Sequence, residues 1–228
     1  MSSYDVIVVG AGTGGTVTSA ALANKGYKVA LIDRKPKEKI GIKVCGDATS
    51  TDHFKRIKDV VYIEPPHGDE IRQKVKGAWL ISPDQEVKFE LVEEGSTGVL
   101  IDRFKLGMRI LEDAIEYGAE LYDSSIVKEP IIENDQVTGV KLRGKDKNIH
   151  EMRAKVVVDA SGIAAVLRTK LNPEKTYMDI ELHPKDVCNC YREVRDVETE
   201  IESPIHISWL HAVPLYSERC TDKAEKDI

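Results

Sequence analysis

The chain has 228 residues, enough for one large domain or two small ones, with 41% hydrophobic and 32% charged side chains, so it can bury a core and keep a solvated surface. Its 33 basic and 39 acidic residues leave a net charge of −6, and no basic stripe is interleaved with aromatics, so nucleic acid is not an expected partner. No stretch approaches the ~20 apolar residues of a membrane span, the N-terminus runs into a strand rather than a signal peptide, and four cysteines without a C-x-x-C fit a reduced, cytoplasmic setting.

Residues 4–9 (YDVIVV) form a short β-branched run, followed at once by Gly10-Ala11-Gly12-Thr13-Gly14-Gly15. Small and apolar residues then recur at helical spacing through 16–25, and Gly26 reads as the helix stop. Residues 29–32 (VALI) predict a second buried strand, closed by Asp33. Strand, glycine turn, helix, strand and acid is the context a dinucleotide-binding G-x-G-x-x-G needs. Each glycine has its own task. Gly10 permits the tight turn, Gly12 lets a pyrophosphate approach the backbone, and Gly15 lets the helix pack close to the sheet. Free N–H groups and the helix dipole attract the phosphates. Asp33 lies 18 residues past Gly15, where it can hold a ribose diol, and an acid there favours an unphosphorylated ribose over NADP.

The basic run 34–43 reads as a solvated loop, and 43–50 (KVCGDATS) as a small-residue segment whose Cys45-Gly46 allows close backbone approach. Residues 54–70 are mixed, with His67 read as an exposed loop residue. Runs 76–81 and 86–91 predict two strands joined by the turn 82–85, an antiparallel layer inserted at about 54–98 into the nucleotide-binding unit. Residues 98–101 predict a strand, Asp102 a helix N-cap, and 103–117 a helix stopped by Gly118. Arg103 at that helix start is disfavoured by the dipole and makes sense if it reaches an anion. Residues 125–133, 136–142 and 149–153 predict a three-stranded meander with its first turn at Asn134-Asp135. Residues 155–158 predict an apolar strand ending in Asp159-Ala160-Ser161-Gly162, and 164–171 a further helix. Residues 187–197 could be a strand, carrying a C-x-C (Cys188, Cys190) read as structural. Residues 217–228 read as a charged tail.

On these motifs the chain resembles the geranylgeranyl reductase family of FAD-dependent oxidoreductases, within the group that includes para-hydroxybenzoate hydroxylase. Lys43-Val44-Cys45-Gly46-Asp47-Ala48 is similar to the family's cysteine-glycine segment beside the flavin. Asp102-Arg103-Phe104 resembles its FAD-contacting arginine, and Asp159-Ala160-Ser161-Gly162 stands where the group has A-D-G. The resemblance covers about residues 4–200. It implies an α/β, Rossmann-like FAD-binding domain over 1–171 with a β-meander, then part of an antiparallel substrate-domain sheet and an unmatched tail over 172–228. It implies FAD as cofactor, bound by Gly10, Gly12, Thr13, Gly14, Gly15, Asp33, Arg34, Cys45, Gly46, Ala48, Arg103, Ile126, Asp159 and Gly162. The implied activity is reduction of isoprenoid C=C bonds in membrane lipid precursors, with electrons from ferredoxin or NAD(P)H. A lipid substrate leaves peripheral contact with a membrane surface open. The family's chains run to roughly twice this length, and the part not matched carries a G-D-A motif and much of the lipid pocket. The alternatives are a flavin monooxygenase or halogenase of the same fold group, an inactive FAD-binding remnant of a truncated gene, and an NAD-dependent dehydrogenase. The halogenase W-x-W-x-I-P motif is absent, since Trp79 and Trp209 are isolated.

Overall fold

Strand β1 (Ser3–Val9) lies at the centre of a six-stranded sheet because it is apolar on both sides: Ile7 and Val8 are fully buried. The computed structural model describes residues 3–175 and 206–209, apart from 46, 76, 83, 85, 93 and 94. The expected strand at 187–197, its C-x-C cysteines and the charged tail lie outside the described residues.

From β1 the chain turns into helix α1 (Thr13–Asn24) and returns as β2 (Val29–Ile32), parallel to β1. Gly26, at φ +84°, ends the connection. Strand β8 (Glu120–Tyr122) adds in parallel to β2, and β11 (Ile149–Asp159) in parallel to the other side of β1. Strands β9 (Ile126–Glu133) and β10 (Gln136–Arg143) complete the order β8-β2-β1-β11-β10-β9. Asn134 and Asp135, at φ +49° and +63°, make the tight turn between them, as the right-handed strand twist favours. The two strands expected at 149–153 and 155–158 are one. Its first half pairs antiparallel with β10 and its second half parallel with β1.

Both faces of this sheet are covered, as a parallel sheet requires. Helix α3 (Arg103–Glu116) and α1 bury Val8, Leu31, Ile110 and Leu111 on one face. On the other, the meander places Val127, Val140, Leu142 and Met152 over Tyr4, Ile7, Val9 and Ile32. Helix α3 starts where the sequence predicts, because the Asp102 carboxylate accepts the N–H groups of Phe104 and Lys105 at 3.1 Å each. Gly118, at φ +107°, releases the chain towards β8.

The inserted region holds more than the expected hairpin. Strands β3 (Ala48–Ser50), β7 (Gly98–Ile101) and β4 (Ile71–Val75) form an antiparallel three-stranded sheet, so the strand at 98–101 belongs there and not to the central sheet. Helix α2 (Thr51–Val61), capped by Ser50, occupies part of what reads as mixed sequence. The expected hairpin is present as β5 (Gly77–Ile81) and β6 (Lys88–Val92), with β12 (His206–Trp209) parallel to β5. The insert is tied to α3 by Arg109, whose guanidinium donates to Glu70 Oε1 at 2.5 Å and to the Glu64 carbonyl at 2.9 Å. Glu70 is buried there.

The helix expected at 164–171 does not form. Short 3₁₀ turns at Gly162–Ala164 and Arg168–Lys170 take its place. The reason is local: Ala165 sits at φ +41°, and Asp159 captures the N–H groups of Leu167 and Arg168 at 2.9 and 3.0 Å, which a continuous helix would use internally.

Candidate functional site

The glycine turn is built as close approach demands. Gly10 has φ +101° and donates its N–H to the Ile32 carbonyl at 2.7 Å. A Cβ on Gly10 would lie 2.5 Å from the Ala160 carbonyl oxygen, and one on Gly15 would collide with the Gly10 carbonyl. Gly14 is different: nothing lies within 4 Å of its absent Cβ, so packing does not require a glycine there. Helix α1 begins at Thr13 with Gly12 as N-cap, no side-chain cap and no acidic residue in its first turn. Its first N–H groups therefore point outward without internal acceptors, at the positive end of the helix dipole.

Asp33 turns back onto this loop. Oδ2 accepts the Ala11 N–H and Oδ1 the Lys35 N–H, each at 2.7 Å. Each carboxylate oxygen has two lone pairs, so both keep capacity for the hydroxyls of a diol. Beside Asp33 a cleft of about 170 Å³ is lined by Gly10, Arg34, Ser125, Ile126, Ser161 and Ile163, among others. Arg34 and Ile126, two of the residues the sequence singles out, line this cleft. Ser125, Ser161, Ile163 and Ala164 are additions, brought in from the start of β9 and the loop after β11.

At the start of α1 a second, narrow cavity is lined by Gly12, Thr13, Thr16, Lys43, Arg103 and Gly107. Arg103 Nη2 donates to Thr13 Oγ1 at 2.9 Å, so the first residue of α3 is joined to the first residue of α1. The loop carrying Gly41 approaches α3 through glycine. A Cβ on Gly41 would lie 2.7 Å from the Phe104 carbonyl oxygen, and one on Gly107 would lie 3.0 Å from Gly41 Cα. Gly41 and Gly107 were not singled out by the sequence pattern, and Lys43 stood in it only as the head of the cysteine-glycine segment, not as a site residue. A glycine four positions after Arg103, on the same helix face, is the signal that could have found one of them.

Asp159 and Gly162 are placed elsewhere. They line a separate cleft of about 270 Å³ with Val137, Leu167 and Arg168. The Asp159 carboxylate is engaged within its own loop: Oδ1 accepts the Ser161 N–H at 3.1 Å and hydroxyl at 2.5 Å, and Oδ2 accepts the Leu167 and Arg168 N–H groups. Burial opposes its charge, but these donors prevail and hold the carboxyl below the usual range. Asp159 therefore shapes the loop that carries Ser161 and Ile163 into the Asp33 cleft. Of the cysteine-glycine segment, Cys45 is half-buried, Ala48 opens β3, and Gly46 is outside the described residues. Neither Cys45 nor Ala48 lines the two clefts at the glycine turn.

A sequence profile of FAD dependent oxidoreductases matches residues 5–170. A digeranylgeranylglycerophospholipid reductase from Sulfolobus acidocaldarius is 34% identical over 200 residues, 87% of this chain and 42% of that protein. Its counterpart in Methanosarcina acetivorans is 29% identical over 191 residues, 82% of this chain and 43% of that one. Among solved structures, a geranylgeranyl bacteriochlorophyll reductase-like protein from Thermoplasma acidophilum superimposes with a TM-score of 0.67 and 26% identity, over 81% of this chain and 45% of that one. A myxobacterial chondrochloren halogenase, at TM-score 0.61 and 16% identity over 74% of this chain and 39% of its own, shares the fold. The chain thus spans less than half the length of these relatives.

Proposed function

The chain belongs to the family of FAD dependent oxidoreductases, and on that premise we propose that it supplies the dinucleotide-binding part of a reductase acting on C=C bonds of a geranylgeranyl lipid. The observation that carries the reading is the convergence at the glycine turn: bared N–H groups of α1, the Arg103 guanidinium beside Thr13, and a carboxylate at the end of β2. A diphosphate and a ribose diol need those donors and that acceptor in that order. Gly12 has no Cβ to hinder approach to the backbone, and a cleft of about 170 Å³ beside Asp33 supports the reading.

In this reading Gly12, Thr13 and Gly15 present the diphosphate site, Arg103 neutralises its charge, and Asp33 holds the adenosine ribose. Arg34, Ile126 and Ile163 flank the adenosine. The cysteine-glycine segment is assigned to the flavin ring by its resemblance to the family's segment, not by either cleft at the glycine turn. FAD, when bound, supplies the hydride chemistry; the polypeptide binds, orients and excludes water. Residues 1–171 are the cofactor unit with the insert at about 54–98, and 172–228 begin the substrate unit. An isoprenoid substrate is the reading that the named reductases favour, with ferredoxin or NAD(P)H as donor and contact with a membrane surface as the way a lipid is reached. Among the described residues no helix is long and apolar enough to cross a membrane.

The test begins with the purified chain. Flavin absorbance that bleaches on dithionite, and reduction of a geranylgeranyl glycerophospholipid by the bleached protein, are expected if the reading is right. A protein that stays colourless with added FAD ends it. A protein that binds FAD and leaves the lipid unchanged, until the remaining length of the relatives is supplied, restricts this chain to cofactor binding.

A further inference from the structure

Lys43 occupies the mouth of the narrow cavity at the start of α1. A Cβ on Gly12 would lie 2.9 Å from Lys43 Nζ, nearer than any other atom. Arg103 enters the same cavity from the opposite element, through Thr13. Among the described residues neither cation is paired with a carboxylate. Helix α1 adds no acidic residue in its first turn and no side-chain cap. Two side-chain cations and the positive end of a helix dipole are thus gathered with nothing negative among them. Such an arrangement repels itself unless an anion completes it.

The backbone carrying Lys43 is held in place. Lys35 Nζ donates to the Ile42 carbonyl at 2.7 Å, and the Ile42 N–H donates to the Lys39 carbonyl at 3.2 Å. Gly41 is wedged against the Phe104 carbonyl on the first turn of α3. The loop is therefore seated directly behind Arg103, while the lysine side chain itself is exposed and makes no hydrogen bond or ion pair among the described residues. A compact ammonium on a flexible stem can follow a phosphate that a planar guanidinium meets from one side.

We propose that Lys43 is a phosphate-contacting residue which, with Arg103, forms a two-cation clamp and sets the preference of this site for a diphosphate over a monophosphate. The inference rests on the cofactor reading above and assigns the residue that grips the second phosphate. One cation and the helix end suffice for one phosphate; the second cation has a partner only when a second phosphate is present. Lys43 supplies no chemistry to the reaction. It selects FAD over FMN and nucleoside monophosphates by charge.

The experiment uses the 228-residue chain, titrated with FAD, ADP, AMP and adenosine as wild type, Lys43→Met and Lys43→Arg. Lys43→Met is expected to weaken FAD and ADP about tenfold, as loss of one charge-assisted hydrogen bond does. Adenosine affinity stays unchanged, AMP falls much less than ADP, and Lys43→Arg restores most of the ADP affinity. Raising the salt narrows the gap between wild type and Lys43→Met. Equal FAD affinity of wild type and Lys43→Met overturns the proposal, as does a parallel loss of adenosine binding. A wild type that binds neither FAD nor ADP removes the cofactor reading itself; wild-type binding beside an indifferent Lys43→Met removes only the clamp.

Discussion

The strands around the glycine turn and the β5–β6 hairpin treat their apolar residues in opposite ways. Ile7, Val8, Leu31 and Ile32 are wholly buried, whereas Phe89 and Leu91 on β6 are 62% and 56% exposed. The central sheet closes its own core from sequence that lies within it: α1 and α3 on one face, the meander on the other. The hairpin presents side chains that no described element covers. One intermediate case links the two. Along β11 the partner changes: among the described strands 149–152 pair with β10 alone and 154–159 with β1 alone, Arg153 pairs with both, and Val156 is 53% exposed. The sheet around the glycine turn thus packs on described elements on both faces, and exposed apolar side chains remain on β6 and the second half of β11.

The largest effect should follow from damaging the sheet packed around the glycine turn. Gly15→Val places side-chain atoms where the Gly10 carbonyl lies, so the turn must open. We expect a loss of about 3 kcal/mol or more, with flavin binding abolished, read by thermal melting and FAD titration. An unaffected melting curve would mean that α1 is not packed on the turn as described. Asp33→Ala comes next. It leaves the Ala11 and Lys35 N–H groups without their acceptor, at about 2 kcal/mol, and FAD affinity should fall with it. Asp33→Asn can accept only one of the two N–H groups, so it should recover at most part of the stability, and it should fail to recover the affinity, because its amide nitrogen cannot accept from a diol.

Asp159 gives a pH-dependent effect. Its carboxyl is held below the usual range despite burial, through Ser161 and the Leu167 and Arg168 N–H groups. A carboxyl with a depressed folded-state pKa contributes stability above its unfolded value and loses it as pH falls through the folded one. The melting-temperature gap between wild type and Asp159→Asn should therefore be full near neutral pH and close as the pH drops below about 4. A gap independent of pH would show that hydrogen-bond geometry, not charge, holds the 161–171 loop.

How far the sequence could be read follows the same division. The β1–α1–β2 unit was legible because its glycines and Asp33 have fixed spacing, and α3 because Asp102 caps a regular apolar stripe. Helix α2 was missed although Phe54, Ile57 and Val61 recur on one face, because the stripe is short, its surroundings are mostly charged, and it fully buries none of its residues. The three residues of β3 are too few to show alternation. The expected helix at 164–171 failed because a carboxylate several positions upstream took its backbone donors, a competition invisible to periodicity. The site was legible where one element supplies it. Ser125, Ser161 and Ile163 were not, since they reach the Asp33 cleft from loops far apart in sequence and follow no spacing. Lys43 reads as one cation of a basic loop until Gly12 is seen beneath it.

The smallest effect tests the hairpin directly. If Phe89 and Leu91 are surface left open, the double substitution Phe89→Ser, Leu91→Ser removes no buried contact. The change in stability should stay within about 0.5 kcal/mol, as for surface positions generally, and FAD affinity should not move. What should change is association: exposed apolar patches drive self-pairing, so the substituted chain should elute later and more uniformly on size exclusion at high concentration. A marked loss of stability would instead mean that β6 packs within this chain, and the contrast between a closed core and an open hairpin would have to be withdrawn.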